Sequence, residues 1–445
     1  MFGRRMNRLG WIDAPRASLA LWDPLVRFAA DVQRDGVARV VVCGMGGSSL
    51  VVHVLAASFK NASVSVLDST DPAVVLAIAR APDLDRTLFV ISSKSGTTLE
   101  TLACYHFFAA RAERRRFVAI TDPGTPLAAL ARERGFRAVF HHPVDVGGRY
   151  AALTVVGMLP AALIGADGRA LLRRAQSVDP RGARAFGARL AEAAAAGRDK
   201  LVLRPPPPVA RLADWVEQLV AESTGKGGRG LIPVVDDPVR EARADAEIVT
   251  DFAADPLDLG AEFLKWQYAT WELCERLGVN AFDQPDVEEA KALARAELAR
   301  ANAGEPLATL TPDALRRAAL RGDYVAILAY LRPTPEITAR LQEVRAAWAR
   351  ALGCATTLGF GPRYLHSTGQ LHKGGPNTGL FLVVTADDAE DAAVPEMGTT
   401  FGRLRRAQAR GDVRALLARG RRVAHVHLAR PEDVSGLTAV RASPA

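Results

Sequence analysis

Across the first third of the chain, apolar β-branched runs alternate with helix-like stretches, and this alternation limits the possible folds more than any other feature. ARVVVCGM, SVSVLDS, RTLFVISS and RFVAITD read as strands, and SSLVVHVLAASF, DPAVVLAIARA, GTTLETLACYHFFAARA and PLAALARERG as the helices between them. Strands that are apolar on both faces need cover on both faces, which the crossover helices of a parallel sheet provide. A first αβα sandwich is therefore expected over 20–175. Within it, YAALTVVGMLPAALIGA (150–166) carries Pro160 and is too short for a comfortable membrane span, so it reads as a buried helix.

RPPPPVA (204–210) predicts an extended break. Beyond it GLIPVV, DYVAILAYL and GLFLVVTA read as strands, AEFLKWQYATWELCERLG and EITARLQEVRAAWARALG as helices, and 288–320 as mostly helical. A second αβα domain with a mostly parallel sheet is expected over 196–430, giving an α/β chain of two sandwich domains.

The formal charge of +8 raises the question of a nucleic-acid or membrane partner. Only seven of the 57 basic residues are Lys; the rest are Arg, spread along the chain with short clusters at 114–116 and 403–406. A nucleic-acid face would concentrate that charge and interleave aromatics. Solvated helix faces are the simpler account, so neither nucleic acid nor membrane is expected as a partner. Lys60 and Lys200 read as loop lysines. Cys43, Cys104, Cys274 and Cys354 show no CxxC spacing and sit in apolar contexts, as buried thiols of a reducing compartment do. No apolar segment follows the basic start MFGRRMNRLGWIDAP, so no signal peptide is read and the cytoplasm is the expected location. No His, Cys or carboxylate cluster has metal-ligand spacing, and neither metal nor cofactor is expected.

The first strand runs into Gly44-Met-Gly-Gly-Ser-Ser49. A dinucleotide loop wants G-x-G-x-x-G and an acid about 20 residues on. Gly44, Gly46 and Asp68 fit, but Ser49 stands at the third glycine position. The third strand ends in ISSKSGTTLET (91–101), which packs Ser92, Ser93, Ser95, Thr97 and Thr98 around Gly96 just before a helix. One hydroxyl suffices to cap a helix; five suggest an anion held at its N-terminus. Two such loops at the carboxyl edge of one sheet can close on a single phosphate. Gly47, Ser48, Ser93, Lys94, Ser95, Thr97 and Thr98 are its candidate ligands.

These two loops resemble the paired phosphate loops of sugar-isomerase (SIS) domains, and more narrowly those of the phosphoglucose isomerase (glucose-6-phosphate isomerase) family. VGGRY (146–150) is similar to that family's segment carrying an active-site Arg. EQLVAESTGK (217–226) resembles Q-L-x-x-E-S-x-G-K, and NAFDQPDVEEAK (280–291) resembles N-P-F-D-Q-x-x-V-E-x-x-K. The pattern is most similar to the isomerase half of bifunctional transaldolase/phosphoglucose isomerase proteins.

The resemblance implies reversible isomerisation of glucose 6-phosphate and fructose 6-phosphate without a cofactor. It assigns Glu222 as the base moving a proton between C2 and C1, Arg149 as the charge facing the enediolate oxygen, and Lys291 as an aid to ring opening. Gln218 and Gln284 would bond sugar hydroxyls. The family's ring-opening His has no counterpart between Glu222 and Lys291. GPRYLHSTGQLHKGGPNTG (361–379) partly matches the family's G-Q-H-S-x-x-Q-L-x-H-x-G pattern, making His366 the first candidate and His372 the reserve. Ala281, Ala151 and Ser95-Gly96 depart from the family's usual residues without removing a charge the mechanism needs. The resemblance also implies a homodimer and a functional link to transaldolase. The rival readings are a non-catalytic or differently specific sugar-phosphate-binding SIS protein, including one acting on mannose or fructosamine phosphates, and a dinucleotide-dependent oxidoreductase.

Overall fold

A computed structural model describes residues 8–239, 243–299 and 307–439, with the side chains of 287–291 outside the described set. Strands β1 (Arg39–Gly44), β2 (Val64–Leu67), β3 (Thr87–Ser92), β4 (Phe117–Thr121) and β5 (Ala138–His141) form one parallel sheet in the order β2-β1-β3-β4-β5. Period-two alternation divides its side chains between two cores. Val40, Val42, Leu88, Val90, Val118 and Ile120 pack on one face with Leu50, Val54 and Met158, while Val41, Cys43, Phe89, Ile91, Phe117 and Ala119 pack on the other with Cys104 and Phe107. Each such large apolar side chain contributes about 1.5–3 kcal/mol on burial. The apolar runs are continuous because both faces are covered.

The rest of the chain builds two further parallel sheets. Strands β6 (Lys200–Leu203), β7 (Ile232–Val235) and β8 (Ala246–Val249) are ordered β7-β6-β8. Strands β9 (Tyr324–Tyr330), β10 (Ala355–Phe360) and β11 (Gly379–Ala386) are followed by an antiparallel bridge of β12 (Ala393–Val394) with β13 (Thr399–Thr400) and then by β14 (Arg422–Leu428). The larger of the two sheets runs β10-β9-β11-β14. The mixed α/β architecture with mostly parallel sheets is the one expected from the sequence.

Several elements differ from expectation for physical reasons. β5, β6, β8, β10 and β14 carried no clear strand signal: β5, β6 and β8 are four residues long, β10 contains Thr and Gly, and β14 interleaves His425 and His427 with its apolar residues. The proline run is extended at Pro206, but Pro207–Val209 form a 3₁₀ turn; the fixed proline φ suits both conformations. Lys200 is not a loop lysine. It opens β6 fully buried, with Nζ donating to Asp199 Oδ1 at 2.6 Å and to the Gly322 carbonyl at 2.5 Å. The apolar 150–166 stretch contains the buried helix Val155–Ile164, ended by Gly165 at φ +82°. Among the described residues no helix is long and apolar enough to cross a membrane. All four cysteines are free and buried.

Candidate active site

The carboxyl ends of β1, β3 and β4 deliver Gly44, Ser92 and Asp122 to one edge of the first sheet, and a cleft of about 1660 Å³ opens there. Its opposite wall comes from helix Leu212–Thr224, the 278–284 segment and the 3₁₀ turn Arg363–His366 that follows β10.

The glycines of the first loop make room for other parts of the protein. A Cβ on Gly46 (φ +57°) would strike the His366 carbonyl oxygen and the Gln218 amide nitrogen, and a Cβ on Gly47 would overlap the Gly148 carbonyl. Helix Gly47–Ser58 can therefore start against the segments bearing Arg149, Gln218 and His366.

In the second loop the hydroxyls pair with one another, Ser93 Oγ with Thr98 Oγ1 and Ser95 Oγ with Thr97 Oγ1, each at 2.9 Å. Thr98 occupies the cap position of helix Leu99–Ala109, yet its side chain makes no capping bond. That helix end thus faces the cleft without a side-chain cap, the condition for anion binding. Lys94 pairs with Asp122, whose other oxygen bonds His142 Nδ1 at 3.0 Å. Burial would raise the Asp122 pKa, but His142 and Lys94 outweigh it and hold the carboxyl below its usual range. Burial also pushes the His142 imidazole below its ordinary value. The ring meets Asp122 through Nδ1, and among the described residues its Nε2 has no partner.

At the centre, Glu222 lies one helical turn after Gln218, whose Nε2 donates to Glu222 Oε2 at 2.9 Å and to the His366 carbonyl at 2.9 Å. Arg149 Nε lies 3.2 Å from the same Glu222 oxygen. Its Nη1 reaches the carbonyls of Glu222 (2.9 Å) and Ala281 (3.1 Å), and its Nη2 reaches the Asp283 carbonyl (3.2 Å) and Gln284 Oε1 (2.7 Å). A fixed fork with five donors suits this role, which a lysine could not fill. His366 Nε2 lies 2.9 Å from Glu100 Oε1, and His366 and Glu100 both line the cleft.

Gly47, Ser48, Ser93, Lys94, Ser95, Thr97, Thr98, Arg149, Gln218, Glu222, Gln284 and His366 all line this one cleft. His372 is not brought there. Its ring is buried against Tyr364 and Phe381, burial drives its pKa well down, and it is not among the residues that line the cleft. Lys291 belongs to helix Pro285–Ala299, but its side chain lies outside the described residues.

Residues 31–186 match the phosphoglucose isomerase family.

That segment contains both phosphate-type loops and Arg149, whereas Glu222, Gln284 and His366 lie beyond it. A glucose-6-phosphate isomerase of Thermus thermophilus is 37% identical over 187 residues, which are 40% of this chain and 44% of the relative. The Methanocaldococcus jannaschii enzyme of the same name is 28% identical over 241 residues, 50% of this chain and 59% of the relative. The chain thus spans about half the length of the curated relatives it matches. A crystal structure of a glucose-6-phosphate isomerase from Chlamydia trachomatis superposes with a TM-score of 0.51 at 19% identity, covering 64% of this chain and 74% of that one, which supports the fold.

Four polar residues in and behind this cleft escaped the sequence reading. Glu100 accepts from Gln408 Nε2 at 2.7 Å as well as meeting His366, and Gln408 Oε1 accepts from Thr70 at 2.8 Å. Lys226, the last residue of the ESTGK run, ties the Glu222 helix to the Asn280 carbonyl and to Asp283. The acid in TTLET and the lysine in ESTGK were visible as motif residues, but Gln408 and Thr70 carried no local signal.

Proposed function

We propose that the chain interconverts glucose 6-phosphate and fructose 6-phosphate by proton transfer through an enediol(ate). The observation that carries this reading is the juxtaposition, in one cleft, of a hydroxyl-rich anion cradle with the Arg149–Glu222 pair and the His366 imidazole. The cradle would take the phosphate, His366 would protonate the ring oxygen as the ring opens, and Glu222 would carry the proton between C2 and C1. Arg149 would balance the charge that develops on the enediolate oxygen. Lys291 remains part of this assignment through its motif. The matching segments of glucose-6-phosphate isomerases support the reading.

The division into domains 20–175 and 196–430 goes with it: the first carries the cradle and Arg149, the second Glu222 and His366. The same reading gives a homodimer, a functional link to a transaldolase and a cytoplasmic location, the last supported by four buried free thiols.

The test is direct assay of hexose 6-phosphate interconversion, with Glu222→Gln beside the parent chain. Turnover in the parent and a loss of roughly 10³-fold or more in the variant are expected. Sugar-phosphate binding without turnover would favour a binding protein, and turnover of mannose or fructosamine phosphates alone would move the specificity.

A further inference from the structure

Helix Phe401–Ala418 turns a row of polar side chains towards the back of the His366 turn. Gln408 holds Glu100, the partner of the His366 ring. One turn later comes Asp412, with no exposed side-chain surface. Its Oδ2 accepts from the Tyr364 hydroxyl at 2.6 Å, and its Oδ1 lies 2.5 Å from Lys373 Nζ. The Tyr364 hydroxyl has one proton, which goes to Asp412, so the Tyr330 hydroxyl at 3.1 Å donates to Tyr364. Tyr364 precedes His366 by two residues, and Lys373 follows it within helix Gly369–Gly374. A single carboxylate thus grips the chain on both sides of the imidazole, while the same helix fixes the ring's hydrogen-bond partner.

We propose that Asp412 is a positioning residue for His366, holding the imidazole against Glu100 at the angle that ring opening needs. This rests on the isomerase reading given above. A buried ion pair gains little over apolar packing, because both charges lose their hydration. Asp412 and Lys373 are both almost completely removed from water, so a pair placed there is better explained by the geometry it imposes than by the stability it adds. Gln370 completes the clamp from the other side, donating to the Gly225 carbonyl at 2.9 Å and to Asp286 Oδ2 at 2.6 Å. The turn is therefore pinned to the Glu222 helix as well as to the Asp412 helix.

The test compares two variants of the full chain. Tyr364→Phe deletes one oxygen, and Asp412→Asn with Lys373→Met removes both charges together, so that no unpaired ion is left buried. Each is assayed on a hexose 6-phosphate, which must be opened, and on a tetrose 4-phosphate, whose phosphorylated O4 cannot close a ring. In parallel, the ring-nitrogen NMR signals of His366 are identified by their loss in His366→Asn.

The expected result is a fall of roughly 10–100-fold in kcat/KM on the hexose phosphate, little change on the tetrose phosphate, and a shift of the His366 signals towards those of a free imidazole. Unchanged His366 signals in folded variants, or an equal fall on both substrates, would overturn the proposal. If the parent chain turns over neither sugar, the isomerase reading fails, and the His366 signals alone still decide the positioning role.

Discussion

Arg149 Nε stands 3.2 Å from Oε2 of Glu222, and both side chains are almost completely buried. The guanidinium that faces the carboxylate also lines the cleft in which the proposed chemistry would take place. In the proposed reaction Glu222 would take a proton from carbon, its own charge would disappear and Arg149 would lose its counter-ion. The cation would then be released at the moment negative charge develops on the neighbouring oxygen, so that this one contact would link base strength to oxyanion stabilisation.

Arg149→Lys keeps the charge and loses the fork. One ammonium cannot bond the carbonyls of Glu222, Ala281 and Asp283 as well as Gln284. Steady-state kinetics on fructose 6-phosphate should show kcat reduced roughly 100-fold or more, with a smaller change in KM.

Glu100→Gln tests the partner of the imidazole. The amide can still bond His366, but no longer presents a negative charge to it. A fall in kcat of roughly tenfold to a hundredfold is expected, with KM nearly unchanged. A rise in KM alone would mean that Glu100 serves substrate binding instead.

Thr98→Val removes a hydroxyl that pairs with Ser93 and leaves the packing volume close to that of the parent. The proposed phosphate cradle should weaken by roughly tenfold, seen as a higher KM for the sugar phosphate and weaker competitive inhibition by inorganic phosphate, while kcat holds.

Glu217 predicts a pH effect on stability. Burial, reinforced by Asp214, pushes its carboxyl from 4.5 up to about 8, against the opposing pull of Arg363 and Arg345. Between those two values the folded chain binds a proton that the unfolded chain has lost, so stability falls as pH rises through that window and the full cost is present above it. Glu217→Gln should flatten this decline. Urea midpoints of parent and variant measured at about pH 5 and about pH 8.5 check it, the variant gaining relative stability at the higher pH.

Four strands of the first sheet were legible because they advertise themselves as unbroken apolar runs, whereas the edge strand β5, which is only half-buried and ends in the exposed His141, was not. β14 was not, because its alternate residues include two histidines that leave the core. The loops, Arg149, Gln218 and Glu222 could be found because each sits in a short run whose chemistry is local. Glu100, Gln408 and Asp412 could not: their roles arise from contacts that join residues 266 and 308 positions apart, or 48 apart for Tyr364 and Asp412. A carboxylate in the first turn of a helix and a glutamine on a long polar helix look ordinary until the fold brings them together. His372 shows the converse, since a histidine in a promising motif can be spent on packing.

The 266-position gap between Glu100 and His366 also bears on how the protein comes into being. The anion cradle is encoded within residues 46–98, while the imidazole that lines the same cleft, at His366, leaves the ribosome hundreds of residues later. Closing so long a loop must await the sheet that presents it. On the proposed reading, the newborn chain would acquire a grip before it acquires a reaction.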